Sequence, residues 1–141
     1  MKECKICKIV NGEVKIYNIY EDNSVLAFLD KFSILNYGHT IVTTKKHFES
    51  IFDVDYETLE KISKVIKKIS LRMKKSLGAE GVNILNASGK AAEQSIPHLH
   101  FHIVPRWRND DLNQNDWWKT KVKNVKEEKM KDIQKKLKIT K

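Results

Sequence analysis

The sequence predicts an α+β fold, in which an antiparallel sheet of about five strands is covered by one long helix. Three observations support this prediction. Short apolar runs occupy residues 14–20, 25–29, 38–44, 81–85 and 98–105, and turn or loop residues separate several of them. A long helical pattern lies between residues 55 and 78, and a second amphipathic pattern follows near the C-terminus.

The first three strands form a meander in the sequence. Residues 14–20 alternate sufficiently for a strand, and the turn at residues 21–24 leads into the apolar run at 25–29. Asp30 ends that run, where a carboxylate either caps a turn or accepts hydrogen bonds from a sugar diol. The third strand, residues 38–44, carries His39 at one end and is followed by His47. Each of these histidines, taken singly, suits a surface or capping position.

The long helix has recognisable ends. Asp55 is a plausible N-cap, with Thr58 instead of Glu three residues later, and Gly78 is a plausible stop. Apolar residues recur at steps of three and four: Leu59, Ile62, Val65, Ile66, Ile69, Met73 and Leu77. Lysines occupy the opposite face. We therefore interpret the apolar stripe as the face that covers the sheet.

The C-terminal part differs in charge from the rest of the chain. Of the formal net charge of +9, residues 1–105 contribute +3, from 15 Lys/Arg against 12 Asp/Glu. Residues 106–141 contribute +6, from 12 against 6. We divide the chain into a main domain, residues 1–105, and a basic extension, residues 106–141.

The extension contains the aromatic pair Trp117 and Trp118 and an amphipathic helical pattern, formed by Val122, Val125, Met130, Ile133 and Leu137. Exposed tryptophans are unusual in a tail, so this segment is expected to pack on its own domain or on a second subunit. The lysines either favour the binding of polyanions or simply form the solvent-exposed face of the helix.

Composition indicates a globular protein, with 40% hydrophobic and 32% charged residues. The absence of a long apolar run or a signal-like N-terminus predicts a cytoplasmic protein without a membrane span. In that compartment, Cys4 and Cys7 favour metal binding or redox chemistry over a structural disulfide. Two thiolates are only half of a zinc site.

The segment His98-Leu99-His100-Phe101-His102-Ile103-Val104-Pro105 is the strongest functional signal. In a continuous strand the three histidines share one face, and the outer two lie about 13 Å apart, too far for one metal ion. They must therefore serve different purposes. A metallohydrolase that uses all three as ligands is an alternative, and it predicts inhibition by chelators.

This segment resembles the signature of the histidine triad (HIT) superfamily, in which three histidines alternate with apolar residues. Further landmarks occur in the expected order: residues 25–30, 38–42 and 46–47, then Asn86, then Gln94 and Ser95. The resemblance implies a homodimeric α+β HIT fold and transfer or hydrolysis at the α-phosphate of a nucleotide. The substrate would be a nucleoside phosphoramidate, a nucleotidyl-amino compound or a dinucleoside polyphosphate.

The resemblance also implies a role for each site residue. His100 would be the nucleophile, forming a nucleotidyl-histidine intermediate, and a neutral imidazole suits that task near pH 7. The expected contacts to phosphate, leaving group, ribose and base are distributed as follows: His102, Ser95, Gln94 and Asn86 to phosphate; His39 to the leaving group; Asp30 to the ribose; and Ile16, Phe28 and Leu29 near the base. Glu93 stands where many members have glycine, which leaves the geometry of the phosphate loop open.

Several bacterial members, and the related galactose-1-phosphate uridylyltransferases, are similar in a four-ligand zinc site. The matching residues here are Cys4, Cys7, His47 and His98. Four such ligands without an open position would make a structural site. The resemblance therefore assigns metal binding to His98, attack to His100 and phosphate binding to His102.

Two alternatives concern function. The +6 extension suggests a DNA-adenylate hydrolase of the aprataxin type, although it lacks further Cys or His ligands and interleaved stacking aromatics. A non-catalytic nucleotide-binding module is the other alternative. Substitution of His100 distinguishes an enzyme from such a module.

Overall fold

The predicted five-stranded antiparallel sheet is confirmed. A computed structural model describes residues 3–32, 34–113 and 123–140 of the chain. The strand order in the sheet is β1-β2-β3-β5-β4, and each neighbouring pair is antiparallel. The strands are β1 (Asn18–Glu21), β2 (Val25–Leu29), β3 (Thr40–Thr44), β4 (Gly81–Leu85) and β5 (His100–Arg106). The strand of the histidine motif is therefore an inner one, between β3 and β4.

The helices are α1 (Lys5–Val10), α2 (Tyr56–Leu77) and α3 (Glu127–Leu137), and a single 3₁₀ turn lies at Lys90–Ala92. For α2 the predicted ends are correct. Asp55 accepts a hydrogen bond from the Thr58 amide at 2.7 Å, and Gly78 ends the helix in the left-handed region with φ 65°. Its buried face packs on the sheet, as the apolar stripe predicted.

Helix α1 has no counterpart in the sequence prediction. It is only six residues long, and two isoleucines, Ile6 and Ile9, are its buried positions, so no periodic pattern reveals it. Cys4 is its N-cap, and the Cys4 thiol accepts a bond from the Cys7 amide at 3.3 Å. The short helix therefore holds the two cysteines close together.

Three strand boundaries differ from the prediction. β1 begins at Asn18 instead of residue 14, and a register shift between Asn18 and Tyr20 interrupts its pairing with β2. β3 begins at Thr40, after Gly38 has turned the chain with φ 86°. β5 runs from His100 to Arg106, so His98 precedes the strand. The strict alternation of faces therefore applies to His100 and His102 only.

Register separates the two faces of the sheet. Phe28, Ile41 and His102 are partners across β2, β3 and β5, so they point to the same side. The next row, Leu29, Thr40 and Ile103, points to the side that α2 covers. The histidines of β5 therefore lie on the face opposite the main helix.

The C-terminal helix packs on the same domain. Met130, Ile133 and Leu137 of α3 are buried in the main core. The following segment also covers the β1 edge, where the Ile139 amide donates to the Ile19 carbonyl at 2.9 Å. Trp117, Trp118 and Val122 lie outside the described residues. None of the described helices is long and apolar enough to cross a membrane.

Candidate active site and metal centre

Four predicted metal ligands meet between the N-terminal helix and the start of the histidine motif. The donor atoms of Cys4, Cys7, His47 and His98 all lie within 4.8 Å of one another. Nδ1 of His98 is 3.4 Å from the Cys4 sulfur and 3.5 Å from the Cys7 sulfur. Nδ1 of His47 is 3.2 Å from the Cys7 sulfur. A tetrahedral zinc ion with ordinary bond lengths places such ligand atoms about 3.6 Å apart, so the cluster nearly has the required size.

The ring of His98 is oriented for metal binding by the main chain of β3. Its Nε2 donates to the Thr44 carbonyl at 2.7 Å, which leaves the lone pair on Nδ1 facing the two sulfurs. Burial lowers the pKa of His98 to about 4, so the ring is neutral at pH 7. A neutral imidazole anchored through its other nitrogen to a carbonyl is the usual arrangement of a metal-bound histidine.

The two thiols also favour a cation between them. Burial raises the pKa of Cys7, and the neighbouring Cys4 thiol raises it further. Two adjacent thiols resist ionisation because their negative charges would repel one another. A divalent cation removes that repulsion and stabilises both thiolates. The donor set therefore fits a metal with soft ligand preferences, such as zinc.

His100 is buried and is oriented by the backbone of its own segment. Its Nδ1 donates to the His98 carbonyl at 2.7 Å, so the lone pair of the neutral ring lies on Nε2. The amide of Asn86 donates to the His100 carbonyl at 2.9 Å. The nitrogen that could attack an electrophile is therefore set by one main-chain hydrogen bond.

His102 receives its orientation from His39. The Leu35 amide donates to Nδ1 of His39 at 3.1 Å, so the proton of a neutral His39 ring lies on Nε2. This Nε2 is 2.8 Å from Nδ1 of His102 and donates to it. His102 therefore carries its own proton on Nε2, the nitrogen remote from His39. Burial, together with the neighbouring His39 ring, lowers the pKa of His102 to about 3, so His102 is a neutral donor.

Asp30, His39 and His102 form a second cluster with the spacing of metal ligands. A carboxylate oxygen of Asp30 lies 3.8 Å from Nε2 of His39, and both side chains are buried. For Nε2 of His39 to bind a metal, the ring proton would have to move to Nδ1, where the Leu35 amide already donates. The cluster is therefore better suited to a hydrogen-bond relay than to a metal.

The predicted phosphate loop lies between β4 and the histidine motif. Both N–H groups of the Gln94 amide are engaged, one with the Glu49 carbonyl at 2.7 Å and one with the Ile96 carbonyl at 2.9 Å. Its oxygen accepts from the Gly89 amide at 2.7 Å. In this conformation Gln94 braces the loop and has no donor left for a phosphate.

Other predicted residues of the loop lie at its surface. Ser95 borders a cavity of about 480 Å³ that also reaches Cys4 and His47. Glu93 adopts a left-handed conformation with φ 63°, and its side chain is exposed. The loop therefore keeps a backbone conformation that favours glycine, although a carboxylate occupies the position.

Two of the three residues predicted near the base, Phe28 and Leu29, lie on different faces. Phe28 packs with Ile9, Leu26, Ile16 and Ile41 on the histidine face. Leu29 is buried in the core beneath α2. Successive strand residues point to opposite faces, so Leu29 faces away from the histidine side chains, and its contact with the base stays a prediction.

Sequence reasoning missed two groups that orient the histidines, the Thr44 carbonyl and the Leu35 amide. Both are main-chain groups, which every sequence possesses, so no motif announces them. It also missed the Thr43 hydroxyl, which donates to the Leu99 carbonyl at 2.7 Å. Thr40 and Thr44 are buried in the same strand, so residue type alone does not distinguish Thr43.

The comparisons agree on one family. A family model described as the HIT domain matches residues 11–109. An uncharacterized HIT-like protein of Borreliella burgdorferi is 45% identical over 112 residues, which cover 78% of this chain and 80% of that protein. An adenosine 5′-monophosphoramidase of Schizosaccharomyces pombe is 34% identical over 103 residues, covering 73% of this chain and 74% of that protein.

An adenylylsulfatase of Arabidopsis thaliana is 33% identical over 110 residues, covering 78% of this chain and 55% of that protein. Among solved structures, a zinc-bound histidine triad family protein of Mycobacterium smegmatis superposes with a TM-score of 0.83 at 33% identity. The match covers 96% of this chain and 94% of that one. The structural likeness therefore extends beyond the histidine motif to nearly the whole chain.

Proposed function

The chain belongs to the histidine triad (HIT) family, and we propose that it is a nucleotidyl hydrolase or transferase whose nucleophile is Nε2 of His100. The observation that carries this proposal is the hydrogen bond from Nδ1 of His100 to the His98 carbonyl. It holds the ring proton on the nitrogen away from the substrate. The other nitrogen of the neutral ring then has a free lone pair.

In the proposed reaction, Nε2 of His100 forms a bond to the α-phosphorus of a bound nucleotide. The bond from phosphorus to the leaving group breaks, and that group departs with the bonding electron pair and takes up a proton from solvent. Water or another acceptor then attacks the same phosphorus and releases His100. Nε2–H of His102 donates to a phosphoryl oxygen, where negative charge is concentrated in both steps.

Two relatives support the substrate class, since one is named an adenosine 5′-monophosphoramidase and the other an adenylylsulfatase. In both names an adenylyl group is joined to a small leaving group. We therefore propose a nucleoside 5′-phosphoramidate as the first substrate to test. Phe28 and Ile16, which pack together on the histidine face, are the apolar side chains proposed to lie near the base.

We propose that Cys4, Cys7, His47 and His98 hold zinc. The support is the size of the cluster, the carbonyl that orients His98 and the zinc-bound relative from Mycobacterium smegmatis. Bound there, zinc would supply a structural cross-link between α1 and the segment before the nucleophile. The chemistry at phosphorus would remain with the histidines.

We also propose a homodimer formed along β4. This strand lies at the edge of the sheet and, within the described part of the chain, pairs only with β5. Its sequence, Gly-Val-Asn-Ile-Leu, contains neither lysine nor proline, and Ile84 is 49% exposed. Native sheets commonly protect such an edge, and a second copy would do so here.

The test of the reaction is intact-protein mass spectrometry after brief mixing with adenosine 5′-phosphoramidate. The native chain should gain about 329 Da, the mass of one adenylyl group, and His100→Asn should gain nothing. Glu60→Gln serves as a control, because it alters an exposed side chain of α2 and leaves the nucleophile and the metal cluster in place. An adduct on His100→Asn would contradict the assignment. Binding of nucleotide without adduct or released AMP would favour a non-catalytic binding module.

A further inference from the structure

Pairing between β3 and β5 stops immediately before the nucleophile. The last register pair is Thr43 with His100. Beyond it, the Leu99 amide donates to the Phe48 carbonyl at 2.7 Å and so leaves the ladder. The carbonyls of His98 and Leu99 must therefore find donors elsewhere, because buried carbonyls are rarely left unpaired.

Side chains supply both donors. The ring of His100 donates to the His98 carbonyl at 2.7 Å, and the hydroxyl of Thr43 donates to the Leu99 carbonyl, also at 2.7 Å. These carbonyls lie in two consecutive peptide planes, His98–Leu99 and Leu99–His100, which meet at the Cα atom of Leu99. The first plane is held at the His98 carbonyl and the Leu99 amide, and the second is held at the Leu99 carbonyl. Rotation of the second plane would shift the backbone between Leu99 and His100 and so move the His100 ring relative to the His98 carbonyl.

Thr43 is one of three fully buried threonines in β3, with Thr40 and Thr44. Valine would have nearly the same shape there without a polar atom to satisfy. The register partners of Thr43 are Leu26 and His100, which places it on the histidine face of the sheet. Of the three threonines, Thr43 is the one whose hydroxyl donates to a carbonyl between His98 and His100.

We propose that Thr43 is a positioning residue for the nucleophile: its hydroxyl fixes the Leu99 carbonyl and thereby keeps the His98 carbonyl on Nδ1 of His100. This inference rests on the proposed function of His100. Without the hydroxyl, the main chain at Leu99 relaxes and the His100 ring loses its fixed proton position. In the other tautomer Nε2 carries the proton and cannot attack phosphorus.

The test compares Thr43→Val, which keeps the shape and removes the hydroxyl, with Thr43→Ser, which keeps the hydroxyl. Thr43→Val should lower kcat for adenosine 5′-phosphoramidate about tenfold with little change in KM, since one hydrogen bond of orientation is lost. Thr43→Ser should stay within about twofold of the native rate. Thr43→Ala provides a second variant without the hydroxyl if Thr43→Val does not fold.

Ser70→Ala is the matched stability control. Ser70 also donates through its hydroxyl to a main-chain carbonyl, that of Ile66 at 2.8 Å, but it lies in α2. Ser70→Ala should therefore lower the free energy of unfolding without reducing kcat. If Thr43→Val is no more impaired in kcat than Ser70→Ala at equal loss of stability, Thr43 only satisfies a buried carbonyl and the proposal fails.

A second readout does not depend on turnover. At fixed pH, the proton on Nδ1 of His100 should give a slowly exchanging NMR signal in the native chain and in Thr43→Ser. The signal should weaken or vanish in Thr43→Val. Retention of the signal in Thr43→Val would overturn the proposal. If the native chain forms no adduct and releases no AMP while the signal depends on Thr43, the proposed function fails and the positioning role of Thr43 stands.

Discussion

Nε2 of His39 lies 2.8 Å from Nδ1 of His102, and this hydrogen bond decides which nitrogen of His102 carries the proton. Each of the other two histidines of the motif also has its proton position set by one hydrogen bond. The Thr44 carbonyl fixes the ring of His98, and the His98 carbonyl fixes the ring of His100. Three similar side chains thus present a ligand lone pair, a nucleophilic lone pair and a hydrogen-bond donor. Main-chain carbonyls set the first two, and His39, itself oriented by the Leu35 amide, sets the third.

Replacement of His39 should therefore impair His102 without removing it. We expect His39→Leu to lower kcat/KM for adenosine 5′-phosphoramidate by about 10- to 100-fold, because Nδ1 of His102 loses its donor and the ring can reverse its tautomer. His39→Gln is the matched variant, since its amide can still donate. The two variants should differ in steady-state kinetics, with His39→Gln closer to the native protein. Equal rates for His39→Leu and the native chain would contradict the relay.

Acid should destabilise the protein through His102. Its pKa is about 3 in the folded chain, because of burial first and then the His39 and His100 rings, against about 6.5 for an ordinary histidine. The unfolded chain therefore binds this proton more readily. The stabilising contribution is complete above about pH 6.5 and is lost as the pH falls toward 3, by at most about 1.4 kcal/mol per pH unit.

Urea unfolding between pH 4.5 and 6.5 measures this effect. His102→Asn has no proton to take up at that position, so its free energy of unfolding should depend less steeply on pH. If the free energy of unfolding changes with pH equally in the native chain and in His102→Asn, His102 is not the group responsible.

Asp110 should be a strong determinant of stability. Its carboxylate accepts from Arg106 at 2.8 Å, from Asn36 at 3.0 Å and from the Trp107 amide at 3.0 Å, and its side chain is 6% exposed. Its pKa is about 2, because these donors outweigh the effect of burial. Asp110→Asn should lower the free energy of unfolding by about 1–3 kcal/mol at pH 7.

Asp111→Asn is the charge-matched control, because Asp111 is exposed and adjacent and asparagine tolerates its left-handed conformation. It should change stability by less than about 0.5 kcal/mol. The stabilisation by Asp110 should also decline as the pH falls from about 4 toward 2, where the carboxylate takes up its proton. Chemical denaturation measures the free energy of unfolding of both variants. Similar losses in Asp110→Asn and Asp111→Asn would contradict the stabilising role of Asp110.

Much of the fold was predictable because it depends on side-chain patterns. The caps of α2 at Asp55 and Gly78 and the bounds of β2 and β4 follow directly from residue types and alternation. Helix α1 was missed, since six residues with two buried isoleucines carry no period. The alternation rule predicts that Leu29 faces away from Phe28, because the two residues are adjacent in one strand. The orientation of the histidine rings could not be predicted in this way, because it depends on main-chain carbonyls and amides that approach the rings only in the folded chain.

The metal centre predicts a measurable stoichiometry. The protein as purified should hold one zinc ion per chain, and Cys7→Ser should hold markedly less, because a neutral hydroxyl replaces a thiolate. Glu3→Gln, at the wall of the same cavity, should retain the metal. Metal analysis of the three proteins gives the answer. Zinc in Cys7→Ser at the native level would argue against the assigned ligands.

Removal of the metal should loosen the segment before the nucleophile. His98 contributes its side chain to the cluster and its carbonyl to His100, so the two sites share one residue. Treatment with a strong chelator should therefore lower Tm and raise amide hydrogen exchange at residues 96–100. Unchanged exchange in the metal-free protein would mean that the Thr44 carbonyl and the strand pairing alone hold His98.

The proposed dimer predicts sensitivity at the open edge of the sheet. A lysine at Ile84 would place a charge where the second copy is proposed to pack, so Ile84→Lys should shift the mass measured by light scattering from dimer toward monomer. Tyr56→Lys is the control, since Tyr56 is 86% exposed at the start of α2, away from β4 in the chain. Because β1 at the other edge is covered by the C-terminal segment, disruption should not be rescued by pairing there. A native protein that is already monomeric, or an Ile84→Lys variant that stays dimeric, would contradict assembly through β4.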